Sequence, residues 1–272
     1  MELNNIKRFY FIGIGGIGMS ALARYFKAKG FDVAGYDKTP SPLTNSLEAE
    51  GIAIHFEDLG ENIPFEYQDT DSTLVVYTPA IPKTRRELVY VQQNHKVLKR
   101  SEVLGLITQT SKGLGVAGTH GKTTTSTMLA YVVSQSHLKC SAFLGGISSN
   151  FNSNVLVNAS AEYSVIEADE FDRSFLRLKP YASIITAMDP DHLDIYGDKS
   201  SIEATFREFA DKVEDKTKLF VPKGLPLQGL TVGIDEEATF KAFNIRIQNS
   251  SYVFDVLTPS ETIENIPFGL PG

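Results

Sequence analysis

The sequence predicts an α/β protein of two successive parallel-sheet domains, with some antiparallel strands near the C-terminus. Two patterns predict it. Short apolar runs alternate with helix-period segments along most of the chain, as expected of strands joined by crossover helices. Two glycine-rich turns, at 13–18 and 118–121, each follow an apolar run and lead into a helical pattern. The 272 residues suffice for two cores.

In the first half, residues 8–14 (RFYFIGI) read as a strand entering the first glycine turn, and the helix beyond it runs to about residue 29, where Gly30 closes it. Residues 31–36 form a second strand ending at Asp37; a helix over 43–50, closed by Gly51, precedes a strand over 52–55. The run 73–77 (TLVVY) is a strand stopped by Thr78-Pro79, after which 85–94 is helical, 95–98 extended and 101–108 helical. The second half starts at Leu114 with the strand into the second glycine turn and a long helix after it. Residues 140–144 are extended, and Gly145-Gly146 is expected to break them. Buried-strand candidates follow at 163–168 and 182–187, then a helix at 201–211 and a strand at 218–221. Alternation over 238–255 suits antiparallel strands or a hairpin. The boundary is placed near 109–112, giving domains 1–109 and 110–272.

Composition sets the outer limits. A hydrophobic share of 42% with 22% charged residues is that of a globular chain. A net charge of −7 argues against a broad nucleic-acid surface, so no nucleic acid is expected as partner. No apolar stretch reaches the ~18 residues of a membrane span and the N-terminus lacks a signal design, so no membrane partner is expected and the cytoplasm is the expected compartment. Cys140, the one cysteine, excludes an intramolecular disulfide and reads as a small buried hydrophobe. His55, His95 and His137 read as surface or packing residues.

The first turn, Gly13-Ile14-Gly15-Gly16-Ile17-Gly18, satisfies G-x-G-x-x-G between a strand and a helix, and Asp37 ends the next strand. These residues specify a diphosphate at a helix N-terminus with a ribose or sugar nearby. NAD, FAD or another nucleoside diphosphate fits, as does a tight turn with no ligand.

The second turn, Gly118-Thr119-His120-Gly121-Lys122-Thr123-Thr124-Thr125, has the parts of a triphosphate site. Glycines let backbone N–H groups approach an anion, Lys122 supplies a point charge, the Thr123 hydroxyl can ligate Mg²⁺, and the helix N-terminus adds its dipole. In G-x-x-x-x-G-K-[ST] the first glycine would fall at Val116, a departure that disfavours generic GTPases and many motor ATPases. Two later strands deliver Glu167-Ala168-Asp169-Glu170 and Asp189-Pro190-Asp191-His192-Leu193-Asp194 to the same sheet edge, a plausible Mg²⁺ site beside a triphosphate. Capping is the competing role for Asp189 and Asp191, and capping or solvation for Asp169, Asp172 and Asp194.

Taken together, 13–20 (GIGGIGMS), 118–125 (GTHGKTTT), 167–175 (EADEFDRSF) and 189–196 (DPDHLDIY) resemble the Mur ligase family, the ATP-dependent amide ligases of peptidoglycan precursor synthesis. The resemblance implies a Rossmann-like N-terminal domain followed by a P-loop-type ATPase α/β domain. It implies that Gly13, Gly15, Gly16, Ile17 and Gly18 hold the diphosphate of a UDP-sugar rather than NAD, with Asp37 near the uridine end. Gly118, Thr119, His120, Gly121, Lys122, Thr123 and Thr124 become the ATP loop. Lys122, Glu167 and His192 become the catalytic set, and Thr123, Glu167 and His192 the Mg²⁺ ligands. His120 and Ser174 fall where the sugar's acid end would lie, although Phe171 and Arg173 replace small residues of the family pattern. The implied partners are UDP-N-acetylmuramate, L-alanine and ATP, and a homodimer is left open. The lactyl carboxylate would attack the γ-phosphorus, and the amine of L-alanine the resulting acyl phosphate. A third, amino-acid-binding domain belongs to the family pattern. The segment 267–272 resembles the hinge before it, so this chain is expected to bind the sugar nucleotide, and ATP at most weakly, without ligating alanine. Competing readings are a ligase attaching a preformed peptide to the same sugar, an NAD-dependent oxidoreductase, which leaves Glu167 and His192 without a shared role, and a non-catalytic UDP-sugar-binding module.

Overall fold

The computed structural model describes residues 5–189, 196 and 198–269. The first sheet is all parallel: β1 (Arg8–Ile12), β2 (Asp32–Tyr36), β3 (Ala53–His55), β4 (Thr73–Tyr77) and β5 (Lys96–Lys99), in the order β3-β2-β1-β4-β5. Helices α1 (Ile17–Ala28), α2 (Pro42–Ala49) and α3 (Arg86–Asn94) make crossovers within it, and α4 (Arg100–Thr110) leads from β5 to the second sheet. The inner strands β1, β2 and β4 are largely apolar and buried on both faces because helices cover both. Phe9 and Phe11 pack into the core that continues to the second sheet, while Tyr10 and Ile12 point into a smaller core with Tyr36, Tyr67 and Leu88.

The second sheet has ten strands in the order β15-β14-β13-β12-β11-β10-β6-β9-β7-β8. They are β6 (Lys112–Ala117), β7 (Cys140–Ser148), β8 (Ser153–Leu156), β9 (Tyr163–Glu167), β10 (Ala182–Ile185), β11 (Leu219–Pro222), β12 (Leu230–Ile234), β13 (Phe240–Gln248), β14 (Ser251–Leu257) and β15 (Thr262–Phe268). Pairing is parallel from β7 through β13 and antiparallel at β7–β8, β13–β14 and β14–β15. The expected α/β class and antiparallel C-terminal strands are therefore present. Helix α5 (Lys122–Gln135) follows β6, and α6 (Lys199–Asp211) packs Phe206 and Phe209 against Phe175. Cys140 is buried, and burial pushes its thiol up, as a packing role requires.

Three features differ from the sequence expectation. Strand β7 runs through Gly145-Gly146 instead of stopping there. Strands β8, β12 and β15 were not anticipated. Pro267 and Phe268, read as part of a hinge, are the last rungs of β15, paired with Val253 and Tyr252. His55 packs, one of the two roles expected of it: its Nε2 lies 2.8 Å from Glu87 Oε1 and 3.2 Å from the Tyr10 hydroxyl.

The two sheets share one core, and a polar clamp closes it. Asn154 of β8, fully buried, donates to the Ser20 hydroxyl (3.0 Å) and the Ile17 carbonyl (2.5 Å) of α1 and accepts from Arg24 Nη1 at 2.6 Å. The rest of the Arg24 guanidinium grips Glu50, at 2.6–3.0 Å, and those hydrogen bonds hold the Glu50 carboxyl below the usual range. A carboxyl depressed by folding contributes stability that is present above its unfolded value, about 4.3, and is lost as pH falls through the folded value. Glu50→Gln is therefore expected to flatten the acid limb of stability below about pH 5. Denaturant midpoints between pH 3 and 7 check this; parallel curves for both proteins would contradict it.

Candidate nucleotide-binding cleft

The strand order of the first sheet reverses between β1 and β4, so a crevice opens beyond their C-terminal ends. The first glycine turn lines it. Gly13 takes φ +85°, and a Cβ there would meet Ile81 Cδ1 at 2.8 Å. The Gly15 amide donates to Asp37 Oδ2 at 2.7 Å, so the carboxylate at the end of β2 fixes the turn. Helix α1 then starts at Ile17 with no side chain capping it.

The second turn is built the same way. Gly118 has φ +138° and Gly121 φ +76°, and α5 starts at Lys122 with no side-chain cap. At three other helices side chains meet the first amides: Ser41 caps α2, Asp58 accepts from Arg86 and Glu87 of α3, and Asp198 caps α6. The two helices that follow glycine turns keep their N-terminal amides, and the dipole behind them, open to an anion.

Lys122 Nζ donates to the Gly118 carbonyl (2.7 Å) and to Glu170 Oε1 (2.8 Å). Glu170 is almost wholly buried, so this pair lies in a low-dielectric setting. Thr123 Oγ1 donates to Glu167 Oε1 at 2.9 Å, and Glu167 Oε2 accepts from the Gly145 amide (2.8 Å) and the Ser126 hydroxyl (3.3 Å). Thr186 braces the turn from β10, donating to the carbonyls of Ala117 and His120.

Both turns open into one cavity of about 360 Å³. Gly16, Ile17 and Gly18 line it from the first sheet, and Lys122, Gly145 and Glu167 from the second. Arg100 and Asp169 complete the wall between them, paired at 3.2 Å. Arg100 lies so close over Gly18 that a Cβ there would sit 2.4 Å from Nη1. A neighbouring cavity of about 390 Å³ continues past Arg100 and Asp169 to Ser101, Phe171 and Ser174.

The anticipated residues separate into those the cleft gathers and those it does not. Gly16, Ile17, Gly18, Lys122 and Glu167 line it, with Thr123 hydrogen-bonded to Glu167. Ser174 lines the neighbouring cavity, its hydroxyl donating to the Asp169 carbonyl at 2.8 Å. His120 is exposed and faces Asp189 (3.8 Å), and it lines neither cavity. Thr119 is buried and accepts from the Asp189 amide, which ties the turn to the end of the β10 segment. Thr124 is exposed on the first turn of α5. His192, like Asp191 and Asp194, lies outside the described residues. Glu170, Arg100, Ser126 and Thr186 were not singled out from sequence. Glu170 alone had a signal, its place in the acidic run after β9.

Gly145 explains why β7 continues through a glycine pair. A Cβ there would lie 2.2 Å from Glu167 Oε1, so the strand needs a residue with no side chain where the carboxylate crosses it. Gly145→Ala is expected to swing Glu167 off Thr123 and weaken Mg·ATP binding about tenfold, the factor worth ~1.4 kcal/mol. Calorimetry with Mg·ATP checks it; unchanged affinity would contradict the assignment.

Among the described residues no group of three His, Cys, Asp or Glu side chains could hold a metal alone. The donors present, the Thr123 hydroxyl and the Glu167 carboxylate beside an open helix N-terminus, are hard oxygens. They suit Mg²⁺, which is commonly held by one or two carboxylates together with substrate phosphates.

A parallel sheet and a mixed one, each with a glycine turn that feeds an uncapped helix, define the class: an α/β protein with two open helix N-termini beside one cleft. The chain belongs to the Mur ligase family. Residues 116–272 match the family's "Mur ligase middle domain" and residues 8–112 its "Mur ligase family, catalytic domain". It is similar to the UDP-N-acetylmuramate–L-alanine ligases of Flavobacterium psychrophilum (57% identical) and Cytophaga hutchinsonii (44%), with all of this chain aligned to 60% and 61% of those proteins. Thus the chain spans about three fifths of the length of the curated relatives it matches. Among solved structures, UDP-N-acetylmuramate-alanine ligase of Thermotoga maritima superposes with a TM-score of 0.82 at 26% identity, covering 97% of this chain and 61% of that one. A Neisseria UDP-N-acetylmuramate:L-alanyl-gamma-D-glutamyl-meso-diaminopimelate ligase shares the fold, with TM-score 0.82, 24% identity, and 98% of this chain and 89% of that one covered.

Proposed function

We propose that the chain serves ATP-dependent ligation of L-alanine to the lactyl carboxylate of UDP-N-acetylmuramate, a cytoplasmic step of peptidoglycan precursor synthesis. The observation that carries this reading is the cavity lined by both glycine turns, which lets a sugar diphosphate and a nucleoside triphosphate meet end to end. Relatives at 44–57% identity that bear the L-alanine ligase name support this amino acid over a peptide. Family membership favours a UDP-sugar over NAD at the first turn.

On this reading, residues 1–109 hold the sugar nucleotide and residues 110–272 hold ATP. The diphosphate lies at the N-terminus of α1 under Arg100, and the α5 amides with Lys122 hold the triphosphate. Thr123 and Glu167, with His192, would hold Mg²⁺, which when bound neutralises phosphate charge. The lactyl carboxylate oxygen attacks the γ-phosphorus and the bond to the β–γ bridging oxygen breaks, releasing ADP. The amine of L-alanine then attacks the acyl carbon, phosphate leaves, and the amine loses its proton as the amide forms. No enzyme nucleophile is needed; positioning and fixed positive charge supply the acceleration.

Calorimetric titration of the chain with UDP-N-acetylmuramate, UDP and NADH tests the reading. Saturable binding of UDP-N-acetylmuramate and UDP is expected. Tight NADH binding with no response to either uridine nucleotide would overturn it.

A further inference from the structure

Asp169 and Glu170 are adjacent in the chain, yet their carboxylates reach cations that serve different glycine turns, one lying over the first and one within the second. Asp169 Oδ2 is 3.2 Å from Arg100 Nη2, the side chain lying over Gly18. Glu170 Oε1 is 2.8 Å from Lys122 Nζ. We propose that Asp169 and Glu170 form a positioning strap that couples the two phosphate sites, so that a nucleotide bound at one turn tightens binding at the other. The proposal rests on the two-nucleotide reading above and adds to it a link between the sites.

The strap is short and braced. Its chain leaves β9 with the Ala168 amide bonded to the Val116 carbonyl (2.9 Å), one residue before the second glycine turn's own strand ends. The Asp169 carbonyl accepts from the Phe175 amide (3.0 Å) and the Ser174 hydroxyl (2.8 Å), and Asp169 Oδ1 accepts from the Phe171 amide (3.0 Å). The Glu170 carbonyl accepts from the Tyr196 hydroxyl at 2.5 Å. Phe175, buried and stacked on Phe209, anchors the far end of the turn. A segment tied down in this way shifts as a unit rather than one side chain at a time.

Phosphate oxygens compete with these carboxylates for the same guanidinium and ammonium donors. A diphosphate at α1 draws Arg100 from Asp169, and a triphosphate at α5 draws Lys122 from Glu170. Because both carboxylates ride on one segment, the first ligand carries the cost of the shift that both ligands require. The second then binds more tightly, and by linkage the factor is the same in either order.

The test is calorimetry of UDP in the absence and presence of saturating Mg·AMP-PNP, and of Mg·AMP-PNP with and without UDP. The expected coupling is roughly fivefold or more in both orders. Asp169→Asn keeps the acceptor for the Phe171 amide and removes the charge; Arg100→Gln breaks the same pair from the other end. In Asp169→Asn the coupling is expected to fall toward one while each nucleotide still binds singly, a result that mere loosening of the fold does not give; in Arg100→Gln, which also removes a diphosphate contact, UDP alone binds more weakly and the coupling is lost as well. Wild-type protein that binds both nucleotides without coupling, or variants that retain the full coupling, would overturn the strap alone. Wild-type protein that binds neither nucleotide would overturn the two-nucleotide reading and the strap with it.

Discussion

Replacing Lys122 with alanine is expected to weaken Mg·ATP binding roughly 100-fold, the factor that about 2.7 kcal/mol of charge-assisted contact supplies. The same change deprives the buried Glu170 carboxylate of a cation 2.8 Å away. Removing one partner of a buried pair typically costs about 3–5 kcal/mol, because the other charge stays in a low-dielectric site. Lys122 is 17% exposed and Glu170 only 2%, so solvent screens the pair weakly. The double variant Lys122→Ala/Glu170→Gln separates the two effects. It is expected to recover most of the stability, measured by chemical denaturation, and none of the ATP affinity. Wild-type affinity in Lys122→Ala would remove the lysine from the phosphate site.

Gly118→Ala is expected to destabilise the chain by about 2–6 kcal/mol and to abolish detectable ATP binding by deforming the turn. Two separate costs add. At φ +138° an L-residue is strained by about 1–3 kcal/mol. The new Cβ would lie 2.1 Å from Thr186 Oγ1 and 2.8 Å from the Ala187 amide nitrogen, and overpacking of this kind costs about 1–3 kcal/mol more. Thr186→Ala in the same chain removes the side-chain clash but not the backbone one, so it should restore only part of the loss. Gly30→Ala is the control: φ is +88° with nothing within 4 Å, and only about 1–2 kcal/mol is expected. Equal losses at Gly118 and Gly30 would show that the packing of the turn against β10 contributes nothing.

Much of the scaffold was legible because the strongest signals are local. The strand at 73–77 and the helix from the first glycine turn to about residue 29 follow from apolar runs bounded by glycine and proline, and the structure reproduces them within a residue or two; the long helix expected after the second turn is α5. Signals that arise from tertiary contact were not legible. Gly145 reads as a strand breaker in isolation, but the carboxylate of a residue 22 positions away requires it. Strand β8 (Ser153–Leu156) is too short and polar to announce itself; it is fixed by Asn154 bonding to α1, more than 130 residues earlier. The site followed the same rule. Lys122 and Thr123 could be named from their motif, and Glu167 through the family resemblance of its acidic segment. Glu170 could not be singled out from its acidic neighbours, because only the fold shows which of them is buried against Lys122. Arg100 opens α4 with no motif around it, and its place over Gly18 comes from the packing of that helix.

On the proposed function, two phosphorylated ligands occupy one cleft between the glycine turns. Mn²⁺ substituted for Mg²⁺ with AMP-PNP gives a direct test through the ³¹P relaxation of UDP bound at the same time. Strong paramagnetic broadening of the UDP phosphorus signals is expected, lost when diamagnetic Mg²⁺ displaces Mn²⁺. Both nucleotides bound, with UDP signals unaffected by Mn²⁺, would place the diphosphate away from the second turn and contradict it.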